Sequence, residues 1–349
     1  MGVFYGTLIS TYILGVGSRF TRKQNQKPIF IFFILIMMIF IIISAFRDGI
    51  GDTGMYKHTY DLVAQGTVGE DGYEKGFIFF LSILTQISMD PQFMLIITSI
   101  ITQGINIWFL RKYSSYFELE LFMYIASGYF LTTMNGIRQA MAASIMLLGT
   151  RFLIERKFIP YLILTLVMST IHSSALVMIP VYFIVNNDNW SKNFVKTIGI
   201  MLIVTLFGGV IMNIAFKLLA GTKFGTYSEF DEGGANIVRM VVAMVPVFMA
   251  YIQRDKLREI FPQCDIFVNL AIINMLIMAL SLYNWIFARM TYYFVPYTFV
   301  LLPYIIKSID IKEQRRLIYY AFLIGYSGFM YAEYVLSTGA NYTSQILGI

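Results

Sequence analysis

The unbroken apolar run IFIFFILIMMIFIII, from Ile29 to Ile43, constrains this chain more than any other feature. As a helix, with Pro28 and Phe46 at its ends, it covers most of a hydrocarbon core about 30 Å thick. Polar and apolar residues do not alternate within it, which excludes the ten-residue rhythm of a membrane β-barrel. A helix then remains as the way to satisfy its backbone in lipid. Apolar runs of roughly 20 residues recur from end to end, and the composition agrees: 58% hydrophobic, 13% charged, mean hydropathy +0.68. Soluble domains carry roughly 25% charged residues. We therefore expect an all-α polytopic membrane protein of about 12–13 helices, some short or re-entrant, in a single domain over residues 1–349.

The net charge of +6 does not point to nucleic acid. The basic residues are scattered through connecting loops, where positive-inside topology would put them. A single cysteine, Cys264, excludes an internal disulfide and a CxxC metal site. Two histidines, His58 and His172, are too few for a multi-histidine zinc or di-iron centre. No metal or cofactor is predicted. The first apolar run contains Tyr5, Gly6 and Tyr12 and leads to no small-residue cleavage site, so no cleavable signal is expected.

Charge placement gives an orientation. A first run near Val3–Val16 ends at the cytosolic Arg19, Arg22, Lys23 and Lys27, and Pro28–Phe46 crosses outward. Phe77–Met89 is too short to span comfortably and reads as re-entrant or tilted, before Gln92–Leu110 returns to Arg111 and Lys112. Glu118–Met134, the turn at Asn135-Gly136 and Ile137–Ile154 form the next pair. Phe158–Ile171 and Ser173–Val185 make a short hairpin with His172 at its tip. Phe194–Phe216, Ile237–Tyr251, Ile266–Phe287, Met290–Ile306 and Leu317–Ala332 complete the set. Two outer loops result, 47–76 and 217–236, the second carrying Glu229, Asp231 and Glu232.

The first outer loop gathers Arg47, Asp48, Asp52, Asp61, Glu70, Asp71 and Glu74 in a chain otherwise poor in charge. Gly49, Gly51 and Gly54 interrupt helix, Asp52 stands at an N-cap position, and an amphipathic helix through Met55, Tyr56, Thr59, Leu62 and Val63 should stop at Gly66. Arg138 sits just inside a helix start, where a cation opposes the macrodipole unless an anion is near. Asn135, Arg138 and Gln139 share the i, i+3, i+4 spacing of one face. His172 is either a structural residue, a proton carrier or a phosphate ligand. Arg239 and Arg289 fall at outer helix ends. These positions are equally those of snorkelling or dipole-compensating side chains, and convergence on one cavity is the sharper expectation.

Five motifs stand in order: Arg47-Asp48 through Gly51-Asp52-Thr53 to Tyr56; Glu74-Lys75-Gly76; Asn135-Gly136-Ile137-Arg138-Gln139; His172-Ser173-Ser174-Ala175; and Arg289-Met290-Thr291-Tyr292-Tyr293-Phe294. Together, over about Phe46 to Pro303, they resemble the EpsG family of exopolysaccharide, capsule and O-antigen polymerases, the Wzy-type enzymes. The resemblance implies a bacterial cytoplasmic-membrane glycosyltransferase with an outward-facing site and an architecture similar to GT-C type enzymes. Its substrate would be oligosaccharide repeat units on undecaprenyl diphosphate. A chain-length regulator and a flippase of the same pathway would be its partners in the bilayer. By the same analogy Arg47, Arg138 and Arg289 would hold the diphosphate with His172 beside them, and Asp48, Asp52 and Glu74 would face the acceptor sugar. Tyr56, Gln139 and Arg239 join them as binding candidates, and the general base is one of His172, Glu74 and Asp48.

Three rivals stand beside this reading. A lipid-linked sugar transporter or flippase would place charges at mid-membrane depth in two related halves. A membrane O-acyltransferase would use a histidine deep in a helix, and a glycan ligase would share nearly the same chemistry.

Overall fold

The computed structural model describes residues 1–21, 29–67, 72–188, 190–218, 233–337 and 339–349, and every regular element among them is helical. Its helices form two compact units, residues 1–180 with 310–349, and residues 181–309. The first unit contains α1 (Gly2–Thr21), α2 (Phe30–Ala45), α3 (Thr53–Ala64), α4 (Lys75–Thr85), α5 (Pro91–Tyr113), α6 (Phe117–Ala126) and α7 (Tyr129–Asn135). It continues through α8 (Ile137–Leu148), α9 (Thr150–Ile154), α10 (Phe158–Ser169) and the start of α11 (Met178–Val185).

The second unit contains α12 (Phe194–Leu218), α13 (Ile237–Ile252), α14 (Arg254–Ile260), α15 (Cys264–Leu280), α16 (Ile286–Met290) and α17 (Val295–Lys307). The chain then returns to the first unit with α18 (Lys312–Tyr331).

Helix α5 is the scaffold of the first unit. It has the length and apolarity to cross a membrane, and Asp90 caps it through the Gln92 N–H at 2.9 Å. Its polar face packs against α2 and α8, where Ser99 meets Ser44 at 2.9 Å and Asn106 donates to Ser144 at 2.6 Å. Gln103 donates to Thr133 at 3.0 Å and accepts from Tyr124 at 2.6 Å, so the buried amide is satisfied at both ends.

The predicted spans are more broken than apolar length suggests. Glu118–Met134 divides at Gly128, whose φ of +82° a side chain would resist, into α6 and α7. Ile137–Ile154 divides at Gly149 into α8 and α9, and Ile266–Phe287 ends as a helix at Leu280. Among the described residues α5 passes a length-and-composition test for a membrane span alone; α13 and α14 pass it together but are bent by 86°. Several other apolar helices, among them α2, α4, α8, α10, α15 and α17, run only 10–17 residues. This architecture fits a helical membrane protein. Arg22, Lys23, Lys27, Glu70, Asp71, and Glu229, Asp231 and Glu232 with most of the 217–236 loop lie outside the described residues.

The second unit has its own polar anchor. Asp265 takes Arg258 through both oxygens, at 2.8 and 3.0 Å, and accepts from the Trp190 indole at 2.8 Å. Arg289 lies over the Trp285 ring, 4.7 Å from its centre. Arg239 is in the first turn of α13, which Asn236 caps through the Val238 N–H at 2.9 Å.

Candidate functional site

Helix α3 runs from Thr53 to Ala64 and stops where Gly66 turns left-handed at φ +69°, as its pattern predicts. Its entry departs from expectation. Asp52, read as an N-cap, has φ −75° and ψ 10° and makes no side-chain cap. The Asp52 N–H instead donates to Asn135 Oδ1 at 2.9 Å, tying the loop to the α7–α8 turn. Gly51 makes this approach possible: its φ is +52°, and a Cβ there would run into the Asn135 side chain.

Glu74 is the hub of the site. It immediately precedes α4, and its carboxylate divides its work: Oε2 pairs with Arg138 on α8, while Oε1 accepts the Ser173 N–H at 2.9 Å. Three segments far apart in sequence are thereby joined. Burial pushes the Glu74 carboxyl up, but the Ser173 N–H and Arg138 outweigh it and hold the group below its usual range. The anion that Arg138 needs at a helix start is therefore supplied by the protein itself. Gly76 lets α4 begin against α10: a Cβ there would lie 2.6 Å from Thr170 Cβ, and the Phe77 N–H donates to the Thr170 carbonyl at 3.2 Å.

Aromatic rings complete the setting of Arg138. Its guanidinium lies 4.4 Å above the Tyr73 ring centre and 5.7 Å from that of Phe77, and Nε reaches the Tyr56 hydroxyl at 3.5 Å. A cation over a ring face keeps a planar, oriented fork. Tyr56 is buried and its hydroxyl is pushed up by burial, against the pull of Arg138.

Arg47 occupies a different setting. It is 1% exposed, donates through Nε to Thr53 at 3.0 Å and through Nη1 to the Ser44 carbonyl. Among the described residues no carboxylate pairs with it. Burial lowers its guanidinium to about 10, so it remains a cation at neutral pH, and it interacts electrostatically with Tyr56 and Tyr342. A narrow recess beside it is lined by Ser44, Thr98, Ser99, Thr102, Thr133 and Ile137. A buried cation with no carboxylate beside it is costly to fold.

His172 precedes a 3-10 turn, Ser173–Val177, and caps it: Nδ1 accepts the Ser174 N–H at 3.3 Å and meets the Ser174 hydroxyl at 2.7 Å. Gln139, buried on α8, donates to the same Ser174 hydroxyl at 3.2 Å.

Asp48 is engaged by the end of the chain. Its N–H donates to the Thr343 carbonyl at 3.0 Å, and its Oδ2 accepts the Gln345 N–H at 2.7 Å. Tyr342 donates to the Ile43 carbonyl at 3.0 Å, and Ser344 to the Phe46 carbonyl.

The first unit thus gathers Arg47, Asp48, Asp52, Tyr56, Glu74, Arg138, Gln139 and His172 along one chain of contacts. Arg239 and Arg289 belong to the second unit. Asn135 does not share a helix face with Arg138 and Gln139, because Gly136 separates α7 from α8. Sequence reasoning placed Ser173 and Ser174 in the His172 motif but missed Tyr73 and the tail residues Tyr342–Gln345. Tyr73 adjoins Glu74, which was a signal; the tail carried none. Among the described residues no cluster of three or more His, Cys, Asp or Glu could hold a metal ion.

Residues 30–346 match the model of the EpsG family. No curated protein matches the chain, and no solved structure does.

Proposed function

Since this chain belongs to the EpsG family of Wzy-type polysaccharide polymerases, we propose that it joins oligosaccharide repeat units carried on a lipid diphosphate. The carrier in this reading is undecaprenyl diphosphate, and the reaction takes place at the outer face of a bacterial cytoplasmic membrane. The chain would act as one multi-pass domain, with a GT-C-like arrangement suggested by resemblance alone.

One observation supports the reading best. Arg138 reaches the Tyr56 hydroxyl at 3.5 Å and pairs with Glu74, and Arg47 is buried without a carboxylate, held by Thr53 and the Ser44 carbonyl. Attack by a sugar hydroxyl on the donor's anomeric carbon leaves negative charge on the departing diphosphate. Guanidinium groups already fixed in place would stabilise that charge and need no reorganisation to do so. The bond between Glu74 and Arg138 makes Glu74 a positioning group: its oxygens are committed to the guanidinium and the Ser173 N–H. Tyr73 and Tyr56 offer ring faces on which a sugar could stack.

The test is the product of an Arg138→Ala variant in cells. It should accumulate to normal protein levels and leave only single repeat units on a gel. Unchanged chain length would remove Arg138 from the machinery. A flippase would instead leave repeat units on the cytosolic leaflet.

A further inference from the structure

The three groups that sequence reasoning offers as general base are all engaged. Glu74 spends one oxygen on Arg138 and the other on the Ser173 N–H. Asp48 accepts from the Gln345 N–H, and His172 Nδ1 is occupied by Ser174. Asp52 differs from each of them.

Asp52 stands directly before α3, where an aspartate ordinarily accepts the helix's first N–H groups. Here it does not, because its backbone is not extended. Main-chain bonds hold it instead: its N–H goes to Asn135 at 2.9 Å, and its carbonyl accepts the Tyr56 N–H at 3.1 Å. The carboxylate is half-buried and accepts a hydrogen bond from no described residue. It also lies close enough to the Tyr56 hydroxyl to interact with it electrostatically. The four-residue step from Asp52 to Tyr56 sets both side chains on one side of the first helical turn. The Tyr56 hydroxyl is in turn reached by Arg138 Nε at 3.5 Å. An aspartate fixed by its backbone, released from capping and set on the same turn as Tyr56, whose hydroxyl Arg138 reaches, is placed for proton transfer rather than for folding.

We propose that Asp52 is the general base of the glycosyl transfer, an inference that rests on the polymerase reading above. Its carboxylate takes the proton of the acceptor sugar's hydroxyl as that oxygen bonds to the donor's anomeric carbon. The bond from the anomeric carbon to the diphosphate oxygen breaks, and its electron pair leaves with the lipid diphosphate, between Arg47 and Arg138.

The experiment uses the full chain in nanodiscs with lipid-diphosphate-linked repeat units, measuring single-turnover rates from pH 5 to 9. Binding is followed separately with farnesyl diphosphate as a short lipid diphosphate. Asp52→Asn keeps shape and backbone bonds. It should slow transfer roughly 10²- to 10⁴-fold, the usual worth of a general base. Farnesyl diphosphate affinity should stay within about twofold of wild type, since no binding contact to the diphosphate is removed. Asp52→Glu should recover part of the rate, and Asp61→Asn on the same helix should change neither quantity. The proposal is overturned if Asp52→Asn stays within about tenfold of the wild-type rate, or if its loss lies in diphosphate affinity. Failure of the polymerase reading would show separately, as Arg138→Ala leaving chain length and farnesyl diphosphate binding unchanged.

Discussion

The bond between Glu74 and Arg138 should couple folding of α4, α8 and the His172 turn, and a double-mutant cycle measures that coupling. The variants are Glu74→Gln, Arg138→Gln and the pair together, which preserve volume while removing charge. A charge-assisted hydrogen bond is worth roughly 1.5–3 kcal/mol, and less where solvent reaches it. With side chains 15% and 14% exposed, screening is modest. We expect a coupling energy of about 2 kcal/mol, roughly thirtyfold in the folding equilibrium.

The assay is equilibrium denaturation in detergent micelles. The same cycle on Glu155 and Lys157, 2.8 Å apart but 47% and 61% exposed, supplies the comparison and should show no measurable coupling. A coupling below about 0.5 kcal/mol at Glu74–Arg138 would refute the hub. Equal values at the two pairs would refute the role given to burial.

Three further outcomes follow from the same geometry. Glu74 is held below its usual range when folded, so its contribution is complete above the unfolded value of about 4.3 and fades as pH falls through the lower folded value. Thermal unfolding between pH 7 and pH 3 should therefore lose more stability in wild type than in Glu74→Gln. Arg47→Met removes a buried cation that has no carboxylate partner; stability should hold or rise while long glycan disappears, seen by melting and by gel. Gly51→Ala must adopt φ +52° against the Asn135 side chain, and should cost about 1–3 kcal/mol in denaturant unfolding and detach Asn135 from the Asp52 N–H.

The sequence by itself determined the class of the fold and the neighbourhood of the site. Hydropathy and low charge require helices that satisfy their own backbones, and the helix from Thr53 with its stop at Gly66 follows from local pattern. The opposed dipole at Arg138 signalled a nearby anion, because that argument needs only the distance from a helix start.

Which anion it would be was decided by packing. Glu74 reaches Arg138 across 64 residues and the Ser173 N–H across 99, separations at which spacing carries no information. Asp48 became a tether because residues 343 and 345 return to it across nearly 300 positions. Asp52 makes no side-chain cap because its backbone is not extended, and its N–H goes instead to Asn135. A side chain's chemistry can be read one residue at a time. Whether a carboxylate is a cap, a clamp or a base depends on which donors the folded chain brings within hydrogen-bond reach.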